Sequence, residues 1–358
     1  MHEPDASVLA LLDWYDRQKR DLPWRRHPDP YFIWVSEIML QQTQVATALP
    51  YFEAFVEAFP TYRDLAAAPI DDVLSRWSGL GYYRRARMLH QAARHLVEQN
   101  KELPSTFEGL LELPGIGPYT AAAIASIAFG RHVAVLDGNV ERVISRKIAF
   151  GEDPKTAAAK RFLTAETLRL VSPERPGDSN QALMELGATV CRPKAPKCLI
   201  CPLRDDCLGR SSPESYPVPR KRRRAVKVDI SVVVAERDGK VLLFRRPADA
   251  SLLAGMWELP HVVQVAPPAE TDTADFESSL GRDYGGRWRV EPSLLQIKHS
   301  ITHRAITFHV HPGEREALED EVRQGSAESA WVSAEDRNDF AMSSAVAKIL
   351  HAWDGNRS

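Results

Sequence analysis

No stretch of the 358-residue sequence approaches the roughly 20 consecutive apolar residues needed to cross a bilayer. Its opening, MHEPDASVLALLDWYDRQKRDLPW, has neither the basic start nor the apolar core of a signal peptide. A soluble, cytoplasmic protein with no membrane partner is expected. Cysteine is scarce: there are 4, all between Cys191 and Cys207, which excludes a disulfide framework spread through the fold. Charge of one sign is also lacking, since the net value is only −2, but the balance is uneven along the chain. Residues 1–225 carry 31 Lys and Arg against 27 Asp and Glu, and residues 226–358 carry 15 against 21. A mildly basic front half suits an anionic partner and equally suits an ordinary solvated surface.

What is present divides the chain in two. Residues 1–210 read as mostly helical. Helical runs are expected from Tyr31 to Phe59 with an interruption at Pro50, from Ala66 to Gln99 with a break at GLGYY, from Phe107 to Phe129 as two short helices, from Ala157 to Leu170 and from Asn180 to Val190. Residues 211–225, rich in Ser and Pro and then in Arg and Lys, read as a linker. Its RKRRR run, Arg220 to Arg224, suits either phosphate contacts or a solvated connector. From residue 226 the period switches to strands. DISVVVAE, the Asp238-Gly239 turn and KVLLFRRP read as a β-hairpin, LLQIKHSI and RAITFHVH as two further strands, and SSAVAKILHAW as a closing helix. Residues 226–358 therefore read as a second, smaller α+β domain.

The cysteines fall in CRPKAPKCLICPLRDDC, at Cys191, Cys198, Cys201 and Cys207. Four thiolates so close together point to a metal site, either one structural zinc or a [4Fe–4S] cluster. Zinc sites usually pair two distant C-x2-4-C knuckles, and only one C-x2-C is present. The spacing resembles the cluster loop of the endonuclease III superfamily of DNA glycosylases, which implies [4Fe–4S]. Some 70 residues upstream stands LPGIGPYTAAAI, from Leu113 to Ile124: helix, glycine-rich turn, helix, the pattern of a helix–hairpin–helix motif spanning 107–129. Gly115 and Gly117 lack Cβ atoms, which lets backbone approach a ligand, and the exposed N–H groups of the next helix attract anions such as a DNA phosphate.

Further stretches narrow the resemblance. LPWR at Leu22 to Arg25, SEIMLQQT around Glu37, GLGYYRRAR at Gly79 to Arg87, NQALMELGATVC at Asn180 to Cys191 and LLAGMWELP at Leu252 to Pro260 occur in this order. Together they resemble the MutY family of adenine DNA glycosylases over nearly the whole chain. The resemblance implies a helical helix–hairpin–helix glycosylase domain with an iron–sulfur loop, followed by a Nudix-like domain. It also implies a partner, double-stranded DNA holding adenine opposite 8-oxoguanine or guanine, on which a monomer suffices.

Family positions then assign roles. Glu37, among Trp34, Val35, Ile38 and Met39, is expected to protonate the leaving adenine, because apolar burial keeps a carboxyl neutral near pH 7. Asp137 is expected to stabilise the positively charged sugar that remains, and also reads as the N-cap of the helix after it. Tyr119 and Asn139 would orient these groups and the water. Trp24, Arg25 and Gln181 match positions around the flipped adenine, while Gln42 and Tyr82 match residues that fill or wedge the vacated space. Strand-cleaving relatives carry lysine at the Tyr119 position, and a phenol forms no imine, so hydrolysis that leaves an abasic site is expected. Other readings are a mismatch glycosylase for thymine or another base, and a catalytically silent DNA-binding protein. The GMWELP stretch argues against the first, the Glu37 and Asp137 pair against the second. After GMWELP the glutamate-rich Nudix box is absent, so the domain is expected to read 8-oxoguanine rather than cleave pyrophosphates. The best match to the reader loop is Ile301-Thr302-His303, which keeps the hydroxyl and imidazole of Thr302 and His303 but has isoleucine where the family has phenylalanine.

Overall fold

A computed structural model describes residues 6–26, 29–218, 225–247, 249–264, 273–301, 304–316 and 328–356. The basic run 220–224 and the reader residues Thr302 and His303 lie outside them. The chain forms two compact units, one of residues 1–68 and 85–221, the other of residues 69–84 and 222–358. No helix among the described residues is long and apolar enough to cross a membrane.

The helices up to the cysteine loop are α1 (Ala6–Gln18), α2 (Pro23–Arg26), α3 (Pro30–Leu40), α4 (Val45–Ala58), α5 (Tyr62–Ala67), α6 (Ile70–Arg76), α7 (Arg84–Glu98), α8 (Phe107–Leu111), α9 (Pro118–Ile127), α10 (Gly138–Lys147), α11 (Ala157–Leu168) and α12 (Pro176–Thr189). All but α6 belong to the first unit apart from the leading residue of α7. Its core joins Leu11 and Tyr15 of α1, Val140 and Ile144 of α10, Leu163 of α11, and Leu183 and Leu186 of α12. α12 also packs on α9, and α9 on α3. α3 starts where Asp29 accepts a hydrogen bond from Tyr31 N–H and Pro30 occupies the first helical position. It is mostly apolar around its circumference, as in a helix with no solvent face, and eight of its residues, Ser36 and Glu37 among them, are buried from Tyr31 to Met39. The interruption expected at Pro50 lies elsewhere: Pro50 sits inside α4, and the break is at Gln42, whose φ of 57° ends α3. The run from Ala66 to Gln99 divides again at Pro69, the N-cap of α6, and α12 starts earlier than expected, on Pro176.

The second unit is built on a sheet of β1 (Val226–Arg237), β2 (Lys240–Arg245), β3 (Trp257–Glu258), β4 (His261–Gln264), β5 (Arg287–Val290), β6 (Leu295–Ile301), β7 (Arg304–Glu316) and β8 (Ser329–Val332), with α13 (Thr273–Tyr284) and α14 (Ser344–Gly355). β1 runs parallel to β7 and antiparallel to β2 and β4. The run VVVA, Val232 to Ala235, in β1 is apolar without alternation because both of its faces are covered. Val232 and Val234 join Ile349 and Trp353 of α14, while Val233 and Ala235 join Phe276 and Leu280 of α13. The expected Asp238-Gly239 turn closes β1 on β2, with φ of 52° and 73° at its two residues and Arg237 paired to Lys240. β6 and β7 pair from Leu295 with Val310 to Ile301 with Arg304.

Candidate active site

Glu37 is the one charged residue of α3 and is only 5% exposed. The hydroxyl of Tyr119, in the first turn of α9, donates to its Oε2 at 2.5 Å. Burial pushes the Glu37 carboxyl up to about 7, and nearby Asp137 adds to the rise. The Tyr119 hydrogen bond and the charge of Arg25 oppose it. Burial and the neighbouring Glu37 hold the Tyr119 phenol far above its ordinary range, so it remains a donor. α3 itself is held from below, because the Arg85 guanidinium of α7 donates to the carbonyls of Ile38 and Met39 at 3.0 and 2.9 Å, and to that of Gln41. These are the C-terminal carbonyls that a helix leaves unpaired. Gln41 in turn donates to Thr120 Oγ1 at 3.0 Å, which ties the end of α3 to α9.

Asp137 is the N-cap of α10, and its Oδ1 accepts from Val140 N–H at 2.7 Å. Its Oδ2 accepts from the Asn139 amide at 2.9 Å, and the Asn139 carbonyl oxygen accepts from Arg142 at 3.0 Å. Burial raises this carboxyl too, while the bonds from Val140 and Asn139 and the charge of Arg142 pull it back. Arg142 also donates to Gly187 O at 2.7 Å and Cys191 O at 2.8 Å, so one guanidinium spans Asn139, α12 and the start of the cysteine loop. The approach is close: a Cβ on Gly187 would lie 2.6 Å from Asn139 Cβ. Ahead of Asp137, the extended segment 133–137 is pinned by the buried Asn180 amide, which accepts from Val135 N–H at 2.9 Å and donates to Val133 O at 2.8 Å.

Arg25 and Gln181 meet, with Arg25 Nε donating to Gln181 Oε1 at 3.2 Å. Sequence reasoning missed what fixes them. Glu185, buried one turn along α12 from Gln181, accepts from Arg25 at 2.9 Å and from Arg20 at 2.6 and 2.9 Å. Burial opposes its ionisation, but the two guanidiniums hold its carboxyl below the ordinary range. Trp24 is buried edge-on against Phe52, with ring centroids 5.1 Å apart. Arg85, Arg142, Asn180 and Glu185 carry no spacing signal, since each acts across elements distant in sequence.

Two exposed turns present the remaining side chains. Gln42 ends α3 with φ of 57°, and in the second unit Tyr82, 45% exposed, has φ of 50°. A bulky residue in the left-handed region is an outlier that costs about 1–3 kcal/mol and concentrates at functional positions. In the hairpin the two glycines serve different ends. Gly115 has φ of 77°, and a Cβ there would meet Met88 Cβ at 2.5 Å, so packing inside the unit already requires glycine. Nothing lies within 4 Å of a Cβ placed on Gly117, which caps α9 without a side-chain hydrogen bond to its first turn.

Cys191, Cys198, Cys201 and Cys207 line one cavity whose walls include Val143, Leu186, Val190 and Leu203. None is in a disulfide. Burial, reinforced by the other three cysteines, pushes the Cys201 thiol up to about 12, so a nearby cation would be needed to hold it as a thiolate. Among the described residues no three His, Cys, Asp or Glu side chains converge tightly enough for a single ion. Four cysteine sulfurs lining one cavity are a donor set suited to a metal centre. Arg146 of α10 braces the loop, donating to Arg192 O at 2.7 Å and to Pro193 O at 3.0 Å and lying 3.3 Å from Cys191 Sγ.

Comparison with known proteins places this geometry. Residues 35–166 match the family model of the HhH-GPD superfamily base excision DNA repair proteins, and residues 231–352 that of the NUDIX domain. An adenine DNA glycosylase of Homo sapiens is 36% identical, over 99% of this chain and 75% of its own length. One of Schizosaccharomyces pombe is 33% identical over 84% and 80%. Among solved structures, a thermostable thymine-DNA glycosylase superposes with a TM-score of 0.53 at 29% identity, covering 57% of this chain and 94% of that one.

Proposed function

The chain belongs to the adenine DNA glycosylase family, and from that premise we propose that it removes adenine mispaired with 8-oxoguanine or guanine, by hydrolysis that leaves an abasic site. Adenine removal from DNA is the family activity. The opposite base and the monofunctional course are the parts proposed.

Adenine leaves poorly as an anion, so the base is protonated as the glycosidic bond breaks, most simply at N7. Glu37 is the acid. Buried in α3 and titrating near 7, it holds a proton at working pH that an exposed carboxyl would have lost. Tyr119 engages Oε2 and so leaves Oε1 to deliver that proton to the base. Bond cleavage leaves an oxocarbenium-like sugar, and the Asp137 carboxylate stabilises it. The Val140 N–H and Asn139 amide fix both oxygens of Asp137 before substrate arrives, so no reorganisation is needed as charge develops. Water then completes the hydrolysis, oriented by Asn139 and Tyr119. Tyr119 stands where strand-cleaving relatives carry lysine, and its phenol forms no imine, which supports the monofunctional course.

Trp24, Arg25 and Gln181 line the pocket for the flipped base, with Glu185 holding Arg25 against Gln181. The N–H groups after Gly117 receive a DNA phosphate. Cys191, Cys198, Cys201 and Cys207 would hold a [4Fe–4S] cluster, which when bound supplies a rigid cross-link for a loop that presents Arg192, Lys194 and Lys197. In the second unit Thr302 and His303 remain the proposed contacts to 8-oxoguanine, next to Ile301 at the end of β6.

The single observation that carries the reading is the buried Glu37–Tyr119 pair with Asp137 close enough to raise the Glu37 carboxyl. A duplex with one adenine opposite 8-oxoguanine is expected to lose adenine and to break only after alkali. Strand cleavage without alkali would contradict the role of Tyr119, and an unchanged preference for 8-oxoguanine in His303→Ala would remove the reader-loop assignment.

A further inference from the structure

The turn that carries Tyr82 is constructed unusually. Gly79, Gly81 and Tyr82 have φ of 95°, 74° and 50°, three left-handed residues within four. Glycine adopts this conformation readily, whereas tyrosine does so only where its surroundings enforce it. The enforcing groups can be named. Trp77 Nε1 donates to Gly81 O at 3.1 Å. The buried Tyr83 hydroxyl accepts from Gly79 N–H at 3.1 Å and donates to Met342 O at 2.5 Å, and Ser78 Oγ reaches the same carbonyl at 3.4 Å. The turn therefore hangs on a carbonyl some 260 positions away in sequence.

Met342 belongs to the body of the second unit. It bridges to Trp257, whose N–H donates to Ala341 O at 2.9 Å. The next residue, Ser343, caps α14, and Lys348 of α14 donates to Lys298 O in β6 at 2.9 Å. β6 is the strand that runs into residues 302 and 303. A second anchor lies at the start of the segment, where Arg245 of β2 forks onto Asp71 at 2.5 and 2.7 Å.

We propose that Tyr83 is a positioning residue for mispair discrimination: its hydroxyl fixes the exposed Tyr82 ring to the domain that carries the proposed 8-oxoguanine contacts. The inference rests on the reading of that domain given above. It makes insertion of the Tyr82 ring and reading of the base opposite adenine acts of one body. Tyr83 itself is buried. Losing its hydroxyl leaves Gly79 N–H and Met342 O without that partner and frees Tyr82 to leave its left-handed conformation, while the buried ring still fills its space.

The test is a double-mutant cycle on the intact, cluster-loaded protein. Tyr83→Phe, Tyr82→Leu and the double variant are compared with wild type for binding and single-turnover excision, on duplexes with adenine opposite 8-oxoguanine and opposite guanine. Tyr83→Phe is expected to lower the preference for 8-oxoguanine in binding about fivefold to tenfold, the effect of one hydrogen bond. Excision at saturating enzyme should hold, and the substitution should change nothing further once Tyr82 is Leu. Asp71→Asn, which weakens the other anchor without touching the turn, is expected to shift the preference in the same direction by less. Equal losses on both duplexes, or a Tyr83→Phe effect that persists in the Tyr82→Leu background, would reduce Tyr83 to a structural residue and overturn the proposal. A wild-type protein with no preference for 8-oxoguanine would sink the functional reading instead, and the cycle read on the guanine duplex would still decide whether Tyr83 acts through Tyr82.

Discussion

Glu37 and Asp137 are carboxyls brought together from opposite kinds of place. Glu37 sits in the body of an apolar helix, where every backbone N–H is already committed, and its one hydrogen bond comes from Tyr119. Asp137 stands at a helix N-terminus, where spare N–H groups and the helix dipole favour negative charge, and Val140, Asn139 and Arg142 all act on it. Burial raises both. Only at the N-terminus is a full set of donors present to pull the carboxyl back. The division between proton donor and charge stabiliser is thus set by where along a helix each residue falls, the middle or the first cap.

The sharpest way to break this comparison is to remove each charge while keeping its shape. Glu37→Gln has no proton to give and is expected to lose about a thousandfold or more in single-turnover excision, with DNA binding retained. Asp137→Asn is expected to lose about a hundredfold to a thousandfold. Because Asn also caps helices, its melting temperature should stay within about 2 °C of wild type. Excision by either variant at a tenth of the wild-type rate would end the assignment of roles. A smaller effect is expected at Asn180, which positions Asp137 only through the backbone. Asn180→Ala leaves the buried Val133 O and Val135 N–H without that amide and should destabilise the protein by about 2–4 kcal/mol, measured by denaturant unfolding; a loss under about 0.5 kcal/mol would show that segment 133–137 does not depend on it.

The smallest effect is a shift in pH dependence. The competent form of Glu37 is protonated and that of Asp137 ionised, so the excision rate should fall as pH rises through about 7 and should also fall in acid as Asp137 takes up a proton. The Tyr119 hydrogen bond favours the ionised Glu37 carboxylate, and its loss in Tyr119→Phe should move the alkaline fall to higher pH, by about half a unit to one unit. Movement to lower pH would mean that the phenol does not donate to Glu37 in solution.

Much of this site was legible in sequence because its chemistry lies in short local patterns. The glycine hairpin, the apolar run around Glu37, the N-cap at Asp137 and the cysteine loop each fit within 17 residues or fewer. The two-domain class, the β1–β2 turn and the closing helix followed from period and turn residues. The supports did not show. Arg85, Arg142, Asn180 and Glu185 bond partners 40 to 165 positions away, and nothing local separates such residues from ordinary helix polarity. The Pro50 expectation failed because the ring fits within α4, whereas the break came from the φ of Gln42, a conformation that residue type alone does not foretell. Gly115 shows the same limit: its pattern suggested clearance for a ligand, and the fold also uses it to admit Met88.

The pairing of Ile301 with Arg304 has a consequence for how such a domain can change over evolutionary time. Only residues 302 and 303 separate the last paired positions of β6 and β7. β7 is also locked along ten positions of β1, with Ile306, Phe308 and Val310 turned into the core at alternate places. Adding or deleting one residue within the paired run of β7 would either leave an unpaired bulge or turn every core side chain beyond it toward the opposite face. Drift along that run is therefore confined to exchanging one amino acid for another, because its register is held on both sides by the sheet.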